Sequence, residues 1–197
     1  MNIQKQLQYF ERQNLAPGTN LGFFDGSSWF DFEQGFLTYS NSELTNRHIY
    51  YDLASITKTF TATNILIQAQ KGNIDLDQPI QDFFTEFKIF PAIPIWKVMI
   101  FNSGLYKRRK YDKATEFQKS EVESLFREAV LNNEHDPEIV KYTDMGHYYL
   151  GKILELTLEQ PLQQIIHSYL SEFDIPEITF LPLQNEISSL QIAPSEE

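Results

Sequence analysis

The sequence predicts a mixed fold, α/β in its α+β form: one N-terminal antiparallel hairpin followed by a chain that is almost all helix. Three observations predict it. Aromatic-rich runs, Leu21 to Phe24 and Ser28 to Tyr39, flank Asp25-Gly26, a strong hairpin turn signal. Beyond Ser55, apolar residues recur at helical spacing in one segment after another. Glycine and proline stand where those helices should stop and start, at Gly72, Pro94 and Pro161. A two-stranded sheet is only marginally stable by itself. That is unusual for a complete α/β domain.

The elements follow in order. Ile3, Leu7 and Phe10 share one helical face, so residues 2–15 read as an amphipathic helix, ended by Pro17-Gly18. The hairpin comes next. Ser55 to Gln70 is the central helix, with Ile56, Phe60 and Ile67 and the neighbouring Ala62 and Leu66 expected on its buried face. Lys71-Gly72 gives it a basic last turn and a glycine stop. Asn73 to Pro79 is a loop, followed by a short apolar helix. Pro94 starts a helix over Ile95 to Phe101, which runs into the turn Asn102-Ser103-Gly104. Thr115 to Leu131 is a helix with Val122, Leu125, Phe126, Ala129 and Val130 inward. Met145 to Leu158 and Pro161 to Phe173 are two more. No internal repeat or low-complexity stretch is visible.

Composition narrows the function. The chain has 197 residues, 42% hydrophobic and 14% aromatic, enough for one domain with a real core. A formal net charge of -11 argues against nucleic acid or an anionic membrane surface as partner. There is no cysteine, so disulfides, thiol catalysis and cysteine-ligated metals are excluded. The first residues show no apolar signal segment, and no membrane span is visible. A cytoplasmic location is the expectation, or an extracytoplasmic one if a leader has been removed. The histidines His48, His135, His147 and His167 have no ligand spacing, so no metal or other cofactor is expected.

Three runs carry the chemistry. Ser55-Ile56-Thr57-Lys58 places a serine and a lysine three apart in a first helical turn, where their side chains share one side. A helix start adds free N–H groups and partial positive charge. Those are the parts of a nucleophilic serine: an attacker, an amine to take its proton, and donors for an oxyanion. Such a pair also fits an ordinary helix start with a solvated lysine. Lys141 to Glu155 is the second run. Tyr142 lies just before a helix that Asp144 can cap, and a cation near its phenol would make it a usable base. Taken alone, this run reads more readily as a core tyrosine with a capping aspartate. Ile93 to Leu105, the third run, is a helix closed by a tight turn.

Together and in this order the runs resemble the serine β-lactamase and penicillin-binding-protein superfamily, above all the class C β-lactamase-like serine hydrolases. Asp52-Leu-Ala-Ser55-Ile-Thr-Lys58 resembles that family's Ser-x-x-Lys segment. Lys71-Gly-Asn-Ile-Asp-Leu-Asp-Gln-Pro79 resembles its Gly-Lys-Leu-x-Leu-Asp-x-Pro loop. Residues 93–105 resemble Ile-Thr-Ile-Arg-His-Leu-Leu-Thr-His-Thr-Ser-Gly-Leu. Tyr142-Thr-Asp144 with Gly146 and Leu150-Gly151 resembles Tyr-Ser-Asn/Asp-x-Gly-Tyr-x-Leu-Leu-Gly. Ile175-Pro-Glu-Ile-Thr-Phe180 is similar to Gly-Met-x-x-Thr-x-Phe. The likeness covers nearly the whole chain. It implies a β-lactamase/transpeptidase-like fold, a helical subdomain plus an incomplete antiparallel sheet, in a single domain over residues 1–197 truncated before the C-terminal strands. The family's third motif, Lys/His-Thr/Ser-Gly on a strand, has no counterpart after Asp144. Its histidine and threonine before the Ser-Gly turn are Phe101 and Asn102 here, turn and packing positions where little chemical consequence is expected.

The resemblance implies a mechanism. Ser55 attacks an ester, amide or β-lactam carbonyl and is acylated. Lys58 is the acylation base, tuned by Tyr142, which then protonates the leaving group and activates the deacylating water. Asp144 stands for the asparagine that orients Lys58 and substrate. As a carboxylate it only accepts hydrogen bonds, and it holds Lys58 protonated. Asn102 is a candidate substrate-binding residue. The basic cluster Lys107-Arg108-Arg109-Lys110 is either a solvated loop or a site for a substrate carboxylate at the cleft rim. The expected partner is a small-molecule or peptidoglycan-type substrate, with self-association through the exposed sheet edge. The competing reading is a catalytically inactive remnant that binds a partner or self-associates.

Overall fold

Asp25 builds the hairpin. Its Oδ1 accepts the Ser27 and Ser28 amides at 2.8 and 2.9 Å, and its own amide donates to the Ser28 carbonyl at 3.2 Å. Gly26 takes the left-handed backbone the turn needs, at φ 98°. In this computed structural model, which describes residues 3–13, 15–40, 43–105, 119–173, 178, 180 and 193, the turn joins β1 (Gly18–Phe24) to β2 (Trp29–Gly35). The two strands pair antiparallel with Leu21 opposite Phe32, Phe23 opposite Phe30 and Phe24 opposite Trp29. The second strand is shorter than the aromatic run suggested.

The chain divides into two compact units, residues 1–54 with 179–197, and residues 55–178. The first unit holds the hairpin and α1 (Ile3–Arg12), which lies against β2. Leu7 is buried and Phe10 is exposed. At the turn end of the hairpin the rings cover one another, Phe23 on Phe30 at 5.1 Å and Phe24 on Trp29 at 5.5 Å. All four stay open to solvent, Trp29 by 71%. Thr45 is buried and ties this unit together, donating to Asn20 Oδ1 at 2.9 Å and sharing a 2.6 Å hydrogen bond with the Tyr51 hydroxyl.

The second unit is helical. A 3₁₀ turn, Ala54–Ile56, runs into α2 (Thr57–Gln70). Two further 3₁₀ turns, Ile80–Asp82 and Thr85–Ile89, stand where the sequence suggested one short helix. Then come α3 (Ile95–Met99), α4 (Lys119–Leu131), α5 (Asp144–Leu158) and α6 (Leu162–Ser171). Pro94 and Pro161 each sit at the cap just before a helix, where a missing N–H leaves no orphan. Residues 115–118, assigned to the fourth helix from sequence, lie outside the described residues.

The core is built around α5. Met145, Tyr149, Leu150, Ile153 and Leu154 point into a cluster with Ile65, Ile80, Phe87, Ile95, Val98, Val130 and Ile165. Tyr149 sits edge-on to Phe84 and Phe87, both at 4.8 Å, and its hydroxyl donates to Glu86 Oε1 at 3.0 Å. That bond satisfies the phenol's polar end inside an apolar setting.

The buried face of α2 differs from the one expected. Thr61, Asn64, Ile65 and Gln68 are buried, whereas Ile56 is 57% and Leu66 51% exposed. The helix carries apolar residues all round, so periodicity could not select a face. The polar residues are tolerated inside because they find local partners. Asn64 Nδ2 donates to the Phe60 carbonyl at 2.9 Å, and Gln68 Oε1 accepts from Asn73 Nδ2 at 2.8 Å.

Candidate active site

Ser55 is placed by the 3₁₀ turn that leads into α2. Ala54, just before it, holds a left-handed backbone at φ 43°, unusual for a residue with a side chain. The three-residue spacing does the rest. Lys58 folds back over the turn, and its Nζ donates to Ser55 Oγ at 3.2 Å.

Lys58 reaches a second partner because α2 packs against α5. Asp144 is the first residue of α5, and its Oδ1 lies 2.6 Å from Lys58 Nζ. The sequence suggested Asp144 as the helix cap. The cap is Thr143, with no side-chain capping bond, and Asp144 sits one position inside. Its carboxylate is directed to Lys58, while its charge in the first turn still complements the helix dipole.

The backbone before α5 explains the rest. Thr143 is extended, at φ −146° and ψ 158°. Successive side chains in an extended segment point to opposite sides. Thr143 is buried, and Tyr142 and Asp144 emerge together on the open side. Tyr142 is 46% exposed, and the Lys58 ammonium stands 5.0 Å from its ring centroid. The structure therefore brings Ser55, Lys58, Tyr142 and Asp144 together.

Their electrostatics are coupled. Burial alone would pull the Lys58 pKa down, but the hydrogen bonds to Asp144 and Tyr142 and their negative charges outweigh it and raise it. Lys58 is thus an ammonium at neutral pH. The Tyr142 phenol is held below its ordinary pKa, first by hydrogen bonding to Ser55, then to Lys58, against the opposing effects of desolvation and of the Asp144 charge. A lysine firmly charged beside a more acidic phenol is the arrangement that favours phenolate.

Two residues of this region were not singled out as functional from sequence. Phe101 takes a left-handed backbone at φ 61°, and its ring lies 4.7 Å from that of Tyr142 and 5.0 Å from that of His147. His147, one turn into α5, is buried, and neither ring nitrogen has a hydrogen-bond partner of good geometry among the described residues. Desolvation lowers its pKa, outweighing the pull of the Met99 carbonyl in the other direction, so it is a neutral imidazole. An aromatic residue in a position that normally favours glycine leaves no mark in composition or periodicity.

The remaining candidates are Asn102 and the basic cluster. Asn102 lies in the turn after α3, its amide donating to the Lys97 carbonyl at 2.8 Å and its side-chain oxygen buried without a partner among the described residues. Lys107, Arg108 and Arg109 lie outside the described residues. Among the described residues there is no group of three or more potential metal ligands, and no helix long and apolar enough to cross a membrane.

Comparison with known proteins places the fold. No curated protein sequence matches the chain. Solved structures do. The D-amino acid amidase of Ochrobactrum anthropi SV3 is 20% identical and superposes with a TM-score of 0.71 over 84% of this chain and 47% of its own. A class C β-lactamase is 17% identical, with a TM-score of 0.69 over 87% of this chain and 48% of its own. The octameric penicillin-binding protein homologue of Pyrococcus abyssi is 21% identical, with a TM-score of 0.73 over 87% and 43%. The chain thus spans less than half the length of these structures, and it shares their β-lactamase/transpeptidase-like fold. The family model described as Beta-lactamase matches residues 25–196, most of the sequence, and the chain belongs to the β-lactamase family.

Proposed function

We propose that the chain carries the nucleophilic half of a serine acyl-transfer site, acting on an ester, amide or β-lactam carbonyl of a small-molecule or peptidoglycan-type substrate. The observation that carries this reading is Lys58, within 3.2 Å of Ser55 Oγ and 2.6 Å of Asp144. The role of base shifts from the one the resemblance implied. Lys58 is charged and already donates to Ser55, so Tyr142 is the better base. Its phenolate takes the Ser55 proton as Oγ bonds to the carbonyl carbon. The phenol then returns that proton to the leaving group as the scissile bond breaks, leaving an acyl-serine. Phenolate next takes a proton from water as the water oxygen bonds to the acyl carbon, and the phenol gives that proton to Ser55 Oγ as the ester bond breaks, restoring serine and phenolate.

Asp144 accepts from Lys58 and so fixes the ammonium rather than donating to substrate. The Ser55 amide supplies one oxyanion donor. No Lys/His-Thr/Ser-Gly follows Asp144 in these 197 residues. Losing one oxyanion donor costs about a hundredfold or more, so the chain by itself is a slow catalyst. Asn102 and the Lys107 to Arg109 cluster are proposed to meet the substrate. Fluorophosphonate or fluorescent penicillin labelling tests the reading: the wild-type chain is modified at Ser55 and Ser55→Ala is not. A folded chain that neither probe modifies overturns it.

A second reading has its own observation. The open aromatic pairs Phe23–Phe30 and Phe24–Trp29 suit a non-catalytic chain that binds a partner or self-associates through the hairpin. It predicts association without Ser55 labelling.

A further inference from the structure

We propose that Phe101 is a positioning residue for Tyr142: its ring and its backbone together set the angle at which the phenol meets Ser55. This rests on the reading of Tyr142 as the base.

The turn after α3 is a Schellman motif. The Phe101 amide donates to the Val98 carbonyl at 3.2 Å and the Asn102 amide to the Lys97 carbonyl at 2.8 Å. Phe101 occupies the left-handed position of that motif, at φ 61°. Glycine is the usual occupant, because a Cβ there is strained. Termination of α3 therefore does not require a phenylalanine, and glycine would serve it better.

What the phenylalanine adds lies across the turn. Its ring packs on Tyr142 at 4.7 Å and on His147 at 5.0 Å. Its carbonyl accepts the Lys141 amide at 2.9 Å, one residue before Tyr142. Backbone and side chain thus grip the same short segment at two points. Tyr142 needs such a grip, since nearly half of its surface is open and the groups that act on its phenol, Ser55, Lys58 and Asp144, lie toward its polar end. His147, a buried ring on α5, gives the Phe101 ring a second aromatic contact. A phenol that swings on χ1 loses Ser55, and a proton transfer that needs hydrogen-bond reach slows accordingly.

The test combines Tyr142 titration with Ser55 acylation in three variants. Phe101→Gly relaxes the turn and removes the ring. Phe101→Leu keeps the apolar bulk and removes the aromatic face. Phe101→Tyr restores a ring. Tyrosine ring-carbon labelling, with the Tyr142 signal assigned by its loss in Tyr142→Phe, follows the phenol by NMR. In Phe101→Gly and Phe101→Leu the Tyr142 signal should titrate at higher pH than in the wild type. The rate of fluorophosphonate labelling should fall tenfold or more at neutral pH, with its acidic limb moved to higher pH. Phe101→Tyr should recover both. A folded Phe101→Gly or Phe101→Leu whose Tyr142 titration is unchanged overturns the proposal. So does unfolding of Phe101→Gly, because glycine suits the turn and unfolding would make the ring a core residue. If the wild-type chain is never labelled, the functional reading fails, and the NMR titration still decides whether Phe101 positions Tyr142.

Discussion

Lys58 and Asp144 meet at 2.6 Å, the lysine side chain 15% and the carboxylate 43% exposed, so a partly buried ammonium faces a half-open carboxylate. That asymmetry decides the chemistry of the site. Asp144 raises the Lys58 pKa and also raises that of Tyr142 through its charge, while Lys58 lowers the Tyr142 pKa. The phenol feels the charge of the cation more strongly than that of the carboxylate.

Asp144→Asn should therefore move the whole pH–rate profile to lower pH. Without the carboxylate, Tyr142 loses an effect that raises its pKa, so the base ionises earlier and the acidic limb moves down. Lys58 loses its strongest raising effect, so its proton leaves earlier and the alkaline limb moves down too. The labelling rate of Ser55 measured across pH checks both limbs. An acidic limb that moves up would show that Asp144, rather than Tyr142, governs the base.

Ser55→Ala should abolish acyl transfer, and Lys58→Ala and Tyr142→Phe should each reduce it by about 10²–10⁴-fold. Single-turnover ester hydrolysis at fixed pH measures this. Rates that survive in Ser55→Ala would place the activity elsewhere.

Ile65 and Leu66 are neighbours on α2 with opposite fates, the first buried and the second exposed. Ile65→Ala should cost about 2–5 kcal/mol of stability. Leu66→Ser should stay within about 0.5 kcal/mol of the wild type. Urea unfolding of both variants measures the difference, and the reverse ranking would mean that the other face of α2 is buried.

Gly104 follows the turn at φ 75°, and a Cβ there would lie 2.7 Å from His135 Nε2 and 2.8 Å from the Asp136 carbonyl. The Gly104 carbonyl accepts the Asp136 amide at 2.9 Å, so the backbone has little room to move away. Gly104→Ala should lower stability by more than about 1 kcal/mol. Thermal unfolding checks it.

Trp29 and its neighbours should drive association, since buried apolar surface is worth about 25 cal/mol per Å². Trp29→Ser combined with Phe24→Ser should shift light scattering toward the monomer at high protein concentration. Unchanged scattering would assign any oligomer to another surface.

Local order alone determined much of this protein. The pair Ser55 and Lys58 is a three-residue relationship, and any helical first turn brings it together. Asp25-Gly26 specifies its turn through bonds to the next residues, and Pro94 and Pro161 mark helix starts through their own rings. Such interactions close within a few residues, so they are legible without knowing the fold. The arrival of Tyr142 and Asp144 at Ser55 was legible only through ordered likeness to a family, because no local force joins residues so far apart in the chain. Tertiary packing alone decided the rest. It chose Ile65 over Leu66 on a helix apolar on several sides, and buried Asn64 and Gln68 because local partners satisfied them. It also set Phe101 against Tyr142 in a backbone state that local preference disfavours. Those outcomes depend on what covers each surface, a property of the assembled chain that no short segment carries.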